Sequence, residues 1–316
     1  MMHANFKRVA ICSLVSLFAA QAYAHTGVRD QAEEGKASYN GFTITHGCAD
    51  SVEGGPYVEA YPVIGQTALF PYGDKVVWRK NDTKTVGGDG GGVIAAGTTL
   101  KLGVSGYASA NSAFSQSNEI VDGLGNVQGL HWQGGAMEPK LNTVTPFKIT
   151  APTIADNCVK TLKIRIGVIN WCDTRKNAAN DASGPYYAPK DAFGHAIPNV
   201  VDATGIQQNV YGAKSYANMP KGNGDNNRAD WWFGDLEGGS DLYNDADLLQ
   251  KATPASGTTA ASPAYWTTLT VNNAAADVAK CAGTPVDVTV EPTGAAFDSY
   301  LTARNTQPFT KGSSNF

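Results

Sequence analysis

Short runs of alternating apolar and polar residues, each closed by glycine or proline, constrain this chain more than any other feature. Segment 38–45 (Ser-Tyr-Asn-Gly-Phe-Thr-Ile-Thr) sets the pattern. Successive strand side chains point to opposite faces, so such a run suits a strand with one face buried. The same reading places strands at 75–78, 99–104, 146–150, 162–169, 266–271 and 286–290. Between them lie breakers such as Gly54-Gly55-Pro56 and the tract 87–92, Gly-Gly-Asp-Gly-Gly-Gly. That tract lacks the Lys-Ser/Thr of a phosphate loop and is read as a flexible turn. Helical periodicity is scarce, with 241–251 the best candidate. Many short strands between turn signals predict an all-β fold, a sandwich or barrel.

Segment 173–264 differs: it is rich in Asn, Asp, Gly and Ala and poor in β-branched runs. It reads as a long loop-rich insertion between strands of one β domain. Its aromatics (Tyr186, Tyr187, Trp231, Trp232, Phe233 and Tyr243) favour ordered packing. The expected organisation is a β domain over 25–172, the insertion over 173–264, and strands over 265–316 that complete or flank the same domain.

The first residues read as a secretory leader. Lys7 and Arg8 precede an apolar stretch over 9–20, and Ala22-Tyr23-Ala24 presents small residues where a signal peptidase reads them. The apolar stretch is short of the roughly 20 residues a retained helix needs. Cleavage is therefore expected after Ala24, with a periplasmic, secreted or cell-surface destination and no later transmembrane helix. The whole chain carries a formal charge of −4, and the leader removes two basic residues. A mildly acidic chain without a basic cluster argues against nucleic-acid binding. Cys12 leaves with the leader, and Cys48, Cys158, Cys172 and Cys281 remain, an even number for an oxidising compartment. Two disulfides are expected, with three connectivities open. A zinc site is the weaker alternative, since no C-x-x-C pair is present.

Cleavage after Ala24 would begin the mature chain with His25. An amino-terminal histidine offers its α-amine and its ring Nδ1 to one metal ion, closing a chelate ring. The amine titrates at about 7.7–8.0, so a cupric ion can displace its proton near neutral pH. Planar nitrogen ligation suits Cu(II), which also tops the divalent affinity order. The plainer reading is that some residue must follow any cleavage site.

The context adds to that reading. His25-Thr26-Gly27-Val28, then 33–39 and Phe42-Thr43-Ile44-Thr45-His46-Gly47-Cys48, resemble the opening of the YcnI-like copper-binding domain family. Leu130-His131-Trp132-Gln133-Gly134-Gly135 is similar to that family's Trp-x-Gly-Gly motif. Phe147 to Pro152, leading into 162–172, resembles its apolar strand ending at a cysteine. The resemblance covers about 25–172. It implies an immunoglobulin- or cupredoxin-like β-sandwich holding Cu(II) in a single-histidine brace. His25 would be the brace, Glu34 the carboxylate with Glu33 as its alternative, and Trp132 the neighbouring indole, its ring face set against the cation. The plainer role for Trp132 is a core aromatic beside a glycine turn. The insertion and the lack of a carboxy-terminal membrane helix depart from the family pattern.

His46 is a lesser metal candidate, since Gly47 and Cys48 explain the motif structurally. His131 should face away from Trp132 on a regular strand. His195 lies in a loop-like stretch, and Met137 and Met219 do not cluster as a thioether site would. The acidic run 225–247 offers oxygen ligands for calcium, but a solvated loop is the simpler reading. The expected function is an exported, non-catalytic copper-binding protein in copper homeostasis. Its partners would be the copper ion and another periplasmic copper-handling protein. The alternatives are a copper-dependent polysaccharide monooxygenase, which needs a second histidine, and a structural surface β-protein without metal.

Overall fold

The computed structural model describes residues 26–45, 47–50, 58–138, 141–172, 200–201, 207–208, 229–234, 236–238 and 265–304. The fold is mostly β, arranged as a sandwich. The strands up to Cys172 are β1 (Gly27–Val28), β2 (Ala32–Glu33), β3 (Ala37–Ile44), β4 (Cys48–Asp50), β5 (Val58–Tyr61), β6 (Val63–Leu69), β7 (Val76–Lys80), β8 (Thr83–Val86), β9 (Gly103–Gly106), β10 (Phe114–Val121), β11 (Val127–Gly135), β12 (Thr143–Thr150) and β13 (Val159–Cys172). Then follow β14 (Val200–Val201), β15 (Gln207–Gln208), β16 (Ala229–Trp232), β17 (Thr267–Asn272) and β18 (Val286–Pro292). A helical turn spans Ala275–Val278, and a helix spans Gly294–Arg304.

One sheet has four strands in the order β1-β3-β12-β9. The other has ten, and β13 is its axis. The first half of β13 pairs with β17 antiparallel and with β18 parallel, while its second half pairs antiparallel with β6 and β16. Beyond β6 lie β11 and β10, and beyond β18 lie β7 and β8. Thus β16 from within 173–264, and β17 and β18 after it, are built into the same large sheet as β6 and β11.

The two sheets meet through aromatic side chains. Phe42 and Phe147 stack within the smaller sheet at 4.6 Å between centroids, and Trp132 of the larger sheet meets Phe42 edge-on at 5.8 Å. All three are fully buried, each worth about 1.5–3 kcal/mol of transfer from water. On β13 the core continues through Leu162, Ile164, Ile166 and Val168, all 0% exposed. The outer side of this strand is covered at Gly167 by the helix Gly294–Arg304. A Cβ on Gly167 would sit 2.2 Å from Phe297 Cζ, so the ring packs there only because the side chain is absent.

Several details differ from the sequence reading. Strands β6, β10 and β11 were not expected as strands. β6 hides its period behind Gly65 and Gln66, and β10 is a largely exposed strand at the sheet's edge. The stretch expected as a strand over 99–104 is one only from Gly103, because Leu100 is tied to Gly73 in an isolated bridge. The carboxy-terminal part contains a helix as well as strands. The 87–92 tract is a turn, as expected, and one carboxylate binds it: Asp89 Oδ1 accepts the Gly91 and Gly92 N–H groups, and Oδ2 accepts that of Gly97. Gly90, at φ +70°, lies flat on the Trp78 indole, where a Cβ would come within 2.5 Å. The expected leader, His25, His46, His195 and the helix candidate 241–251 lie outside the described residues, as does most of the acidic run 225–247.

Candidate functional site

Thr26 is the first described residue, and it is 1% exposed. Gly27 and Val28 pair with Thr43 and Phe42 at the edge of the smaller sheet. Thr26, one step upstream, is bound by the larger sheet. Tyr265 donates its hydroxyl to the Thr26 carbonyl at 2.7 Å, and Thr267 Oγ1 donates to the same oxygen at 2.9 Å. Asn170 Nδ2 donates to Thr26 Oγ1 at 2.9 Å. The segment therefore bridges both layers of the sandwich, and both lone pairs of its carbonyl are used.

Behind this anchorage runs a buried polar chain. Gln66 Nε2 donates to Asn170 Oδ1 at 2.7 Å, and Thr145 Oγ1 donates to Gln66 Oε1. Gln66, Asn170 and Thr145 are at most 2% exposed. In so dry a place every such group needs a partner, and here each supplies one to the next. Tyr265 packs edge-on against Trp232 at 6.0 Å. Burial pushes its phenol up to about 12, so the hydroxyl keeps the proton that it donates to Thr26.

The expected carboxylates do not come to this point. Glu34 Oε1 accepts the N–H of Ala274 at 2.9 Å, and Oε2 accepts that of Ile154 at 2.7 Å. Ala274 lies just beyond β17, whereas Thr26 is bound at Thr267, where β17 begins. Five strand steps from Thr267 to Asn272 span about 17 Å. A residue preceding Thr26 has its Cα only about 3.8 Å away, and an imidazole adds a few ångströms more. Glu33 pairs with Asn272 at that same far end. Its exposed side chain is bound to Lys36 Nζ at 2.5 Å, and that hydrogen bond holds its carboxyl below the ordinary range.

Trp132 lies nearer, but inside the core. It stands opposite Gln66, which stands opposite Asn170, so the indole shares the interior layer beneath the anchorage. It is 0% exposed, and its Nε1 donates to the Pro146 carbonyl at 3.2 Å. The ring is a wall of the core with its polar atom spent. His131 does lie on the other face of the sheet, with Nδ1 2.8 Å from Thr67 Oγ1, which also accepts the Trp171 indole N–H at 2.8 Å. Met137, just after β11, is a core residue bridged to Val63 at the start of β6. Among the described residues no three His, Cys, Asp or Glu side chains are grouped to hold a metal. None of the described helices is long and apolar enough to cross a membrane.

Cys158 and Cys281 form a disulfide, with Cα atoms 4.8 Å apart. Cys48 and Cys172 are described through their backbone, in β4 and β13. Sequence reading passed over Gln66, Asn170, Tyr265 and Thr267, which form the anchorage. The available signal was an amide inside an otherwise apolar run, Ile169-Asn170-Trp171, since a polar side chain on a buried strand must be bonded. A cavity of about 240 Å³ elsewhere, beside Trp78 and Gly90, includes Lys80 in its wall. That ammonium is already paired with Asp156. Compared with family models, curated proteins and solved structures, the chain matches none of them.

Proposed function

We propose that this chain is an exported copper-binding β-sandwich protein of the YcnI-like kind, acting in periplasmic or surface copper homeostasis without catalysis. Removal of the leader after Ala24 would leave His25 as the amino terminus. Its α-amine and Nδ1 would then take one Cu(II). The observation that carries this reading is the burial of Thr26 under three hydrogen bonds. First residues of a mature chain ordinarily fray, whereas this segment is anchored up to the residue next to the proposed ligand.

The ion, when bound, contributes a Lewis-acidic centre that prefers planar nitrogen donors. The donor set implied by the family resemblance fits only in part. The two nitrogens of His25 suit it, but Glu34, Glu33 and Trp132 are occupied elsewhere and do not complete it. Coordination positions left to water or to an incoming donor suit a protein that hands its ion to another copper-handling protein. The monooxygenase alternative gains nothing here, because His131 is buried beyond the sheet from Thr26. The structural-protein alternative is favoured by one observation, that Glu34 and Trp132 both serve the fold.

Copper titration with electron paramagnetic resonance on the correctly processed protein tests the proposal. One Cu(II) per chain is expected, lost in His25→Ala and lost when the amino terminus is extended by one residue. Retention no better than an internal-histidine control would leave the structural alternative standing. An unchanged spectrum in His25→Ala would move the site elsewhere.

A further inference from the structure

We propose that the outward face of the smaller sheet binds an acidic polysaccharide, whose sugar rings stack on Tyr39 and whose carboxylates meet Lys148. In β3, β9 and β12 successive side chains alternate between core and solvent. Phe42, Val104, Phe147 and Ile149 take the core side. Tyr39, Lys148 and Ser105 take the other, in one row across the sheet, with Lys148 opposite Tyr39 on β3 and Ser105 on β9. Tyr107 follows β9, and its N–H donates to the Pro146 carbonyl at 3.4 Å.

Tyr39 is 67% exposed, although it lies within an eight-residue strand. Its ring meets that of Tyr107 edge-on at 5.8 Å, and Lys148 Nζ lies 5.9 Å from its centroid. Both contacts reach it from the side of β12 and β9, and the rest of the ring faces water. A ring held in place before a ligand arrives costs less entropy to order on binding. Tyrosine also joins an apolar face to a polar tip, which suits a hexose: its C–H face packs against the ring while its hydroxyls find polar partners at the rim. Ser105 and Thr150 supply hydroxyls on this face.

Lys148 decides the class of sugar. The outward positions of β3, β9 and β12 carry no Asp or Glu, and Lys148 is their one charge. It has no ion pair among the described residues, whereas Lys36, Lys80, Lys84, Lys163 and Lys280 each have one. Asp30, whose N–H is bonded to Asn40 of β3, is itself paired with Arg29. On a chain of net charge −4, this face sets a cation beside an exposed aromatic ring with no carboxylate between them. A polymer of hexuronate units carries the matching pair, a ring and an anion, in every residue.

Affinity electrophoresis of the processed full-length protein, in gels containing sodium alginate or neutral dextran, tests the proposal. Alginate should retard the parent and dextran should not. Tyr39→Ala should weaken alginate binding about tenfold, while Tyr39→Phe keeps most of it. Lys148→Gln should weaken it about threefold, and its gap to the parent should close as salt rises. These positions lie outside the core, and thermal melts should show each variant folded like the parent. No retardation of the parent by alginate, or equal retardation of parent and Tyr39→Ala, overturns the proposal. Equal retardation by dextran overturns the acidic class. A parental dimer in sedimentation that Tyr39→Ala dissociates, without alginate binding, would give the face to a second copy of the chain instead.

Discussion

Glu34 and Thr26 are close in the chain but are tied to opposite ends of β17, Thr26 at the Thr267 hydroxyl and Glu34 at the Ala274 N–H. The segment between them runs along the sheet. Its Ala32 and Glu33 pair in parallel with Val271 and Asn272. Glu34 thus closes two loops, at Ile154 and at Ala274, instead of standing beside the amino terminus.

That role has a measurable signature. Glu34→Ala should cost about 2 kcal/mol of stability, because two backbone N–H groups lose a charged acceptor in partly exposed settings. Urea denaturation reads the loss. Copper stoichiometry and spectrum should stay unchanged, and a lost site would return Glu34 to the ligand set.

The polar centre of the larger sheet is Glu291, whose side chain is 1% exposed between two arginines. Arg165 Nη1 lies 2.5 Å from Oε2, while Arg79 donates from Nη2 at 2.7 Å and from Nε at 2.9 Å to Oε1. Glu291→Ala removes a buried counter-charge from two partly exposed guanidinium groups, of which Arg79 keeps Glu237 at 3.6 Å, and about 2 kcal/mol should be lost. Glu237, 30% exposed and paired with Lys84, should cost less than about 1 kcal/mol when changed to Gln. Thermal melts of the two variants provide the comparison.

Tyr265 makes stability depend on alkaline pH. Its folded phenol, pushed up to about 12 by burial, ionises later than the same group in the unfolded chain, at about 10. The unfolded state therefore releases its proton first. Stability from this group is whole below about pH 10 and is lost as pH rises toward 12. Urea midpoints measured across that window should fall for the parent and fall less steeply for Tyr265→Phe. Equal slopes would mean that Tyr265 does not carry the effect.

The expectation of a second disulfide can be tested directly. With Cys158 bonded to Cys281, Cys48 and Cys172 remain. Cys48 pairs with Tyr61 on β5, and Cys172 pairs with Val63 on β6, two positions along the same run of chain. β4 and β13 both run antiparallel to that run, and two strand steps span about 7 Å. A bridge needs Cα atoms roughly 4.4–6.8 Å apart. Non-reducing peptide mapping should recover a Cys48–Cys172 linked pair; free thiols at both would refute it.

Strands such as β3, β12 and β17 were legible because each shows its own alternation. Phe42 and Ile44, or Phe147 and Ile149, announce a buried face within a few residues. β6 was not, since Gly65, Gln66 and Thr67 replace apolar residues at positions that are nonetheless buried. Their suitability depends on Asn170, Thr145 and His131 arriving from other strands. The same limit applies to the candidate site. Glu34, Glu33 and Trp132 were weighed as companions of His25, whereas the residues bound to its neighbour Thr26 come from β13 and the start of β17.

Local pattern by itself determined the β class and the opposite facing of His131 and Trp132. Alternation and composition are properties of neighbouring residues, and a pleated strand translates them directly into faces. Only the tertiary structure decided that Tyr265, Thr267 and Asn170 meet at Thr26, that Glu34 is carried to the far end of β17, and that Trp132 gives its N–H to Pro146. Those contacts depend on which strands lie side by side and in what register. A hydrogen bond between residues more than a hundred positions apart leaves no mark on the residues around either partner.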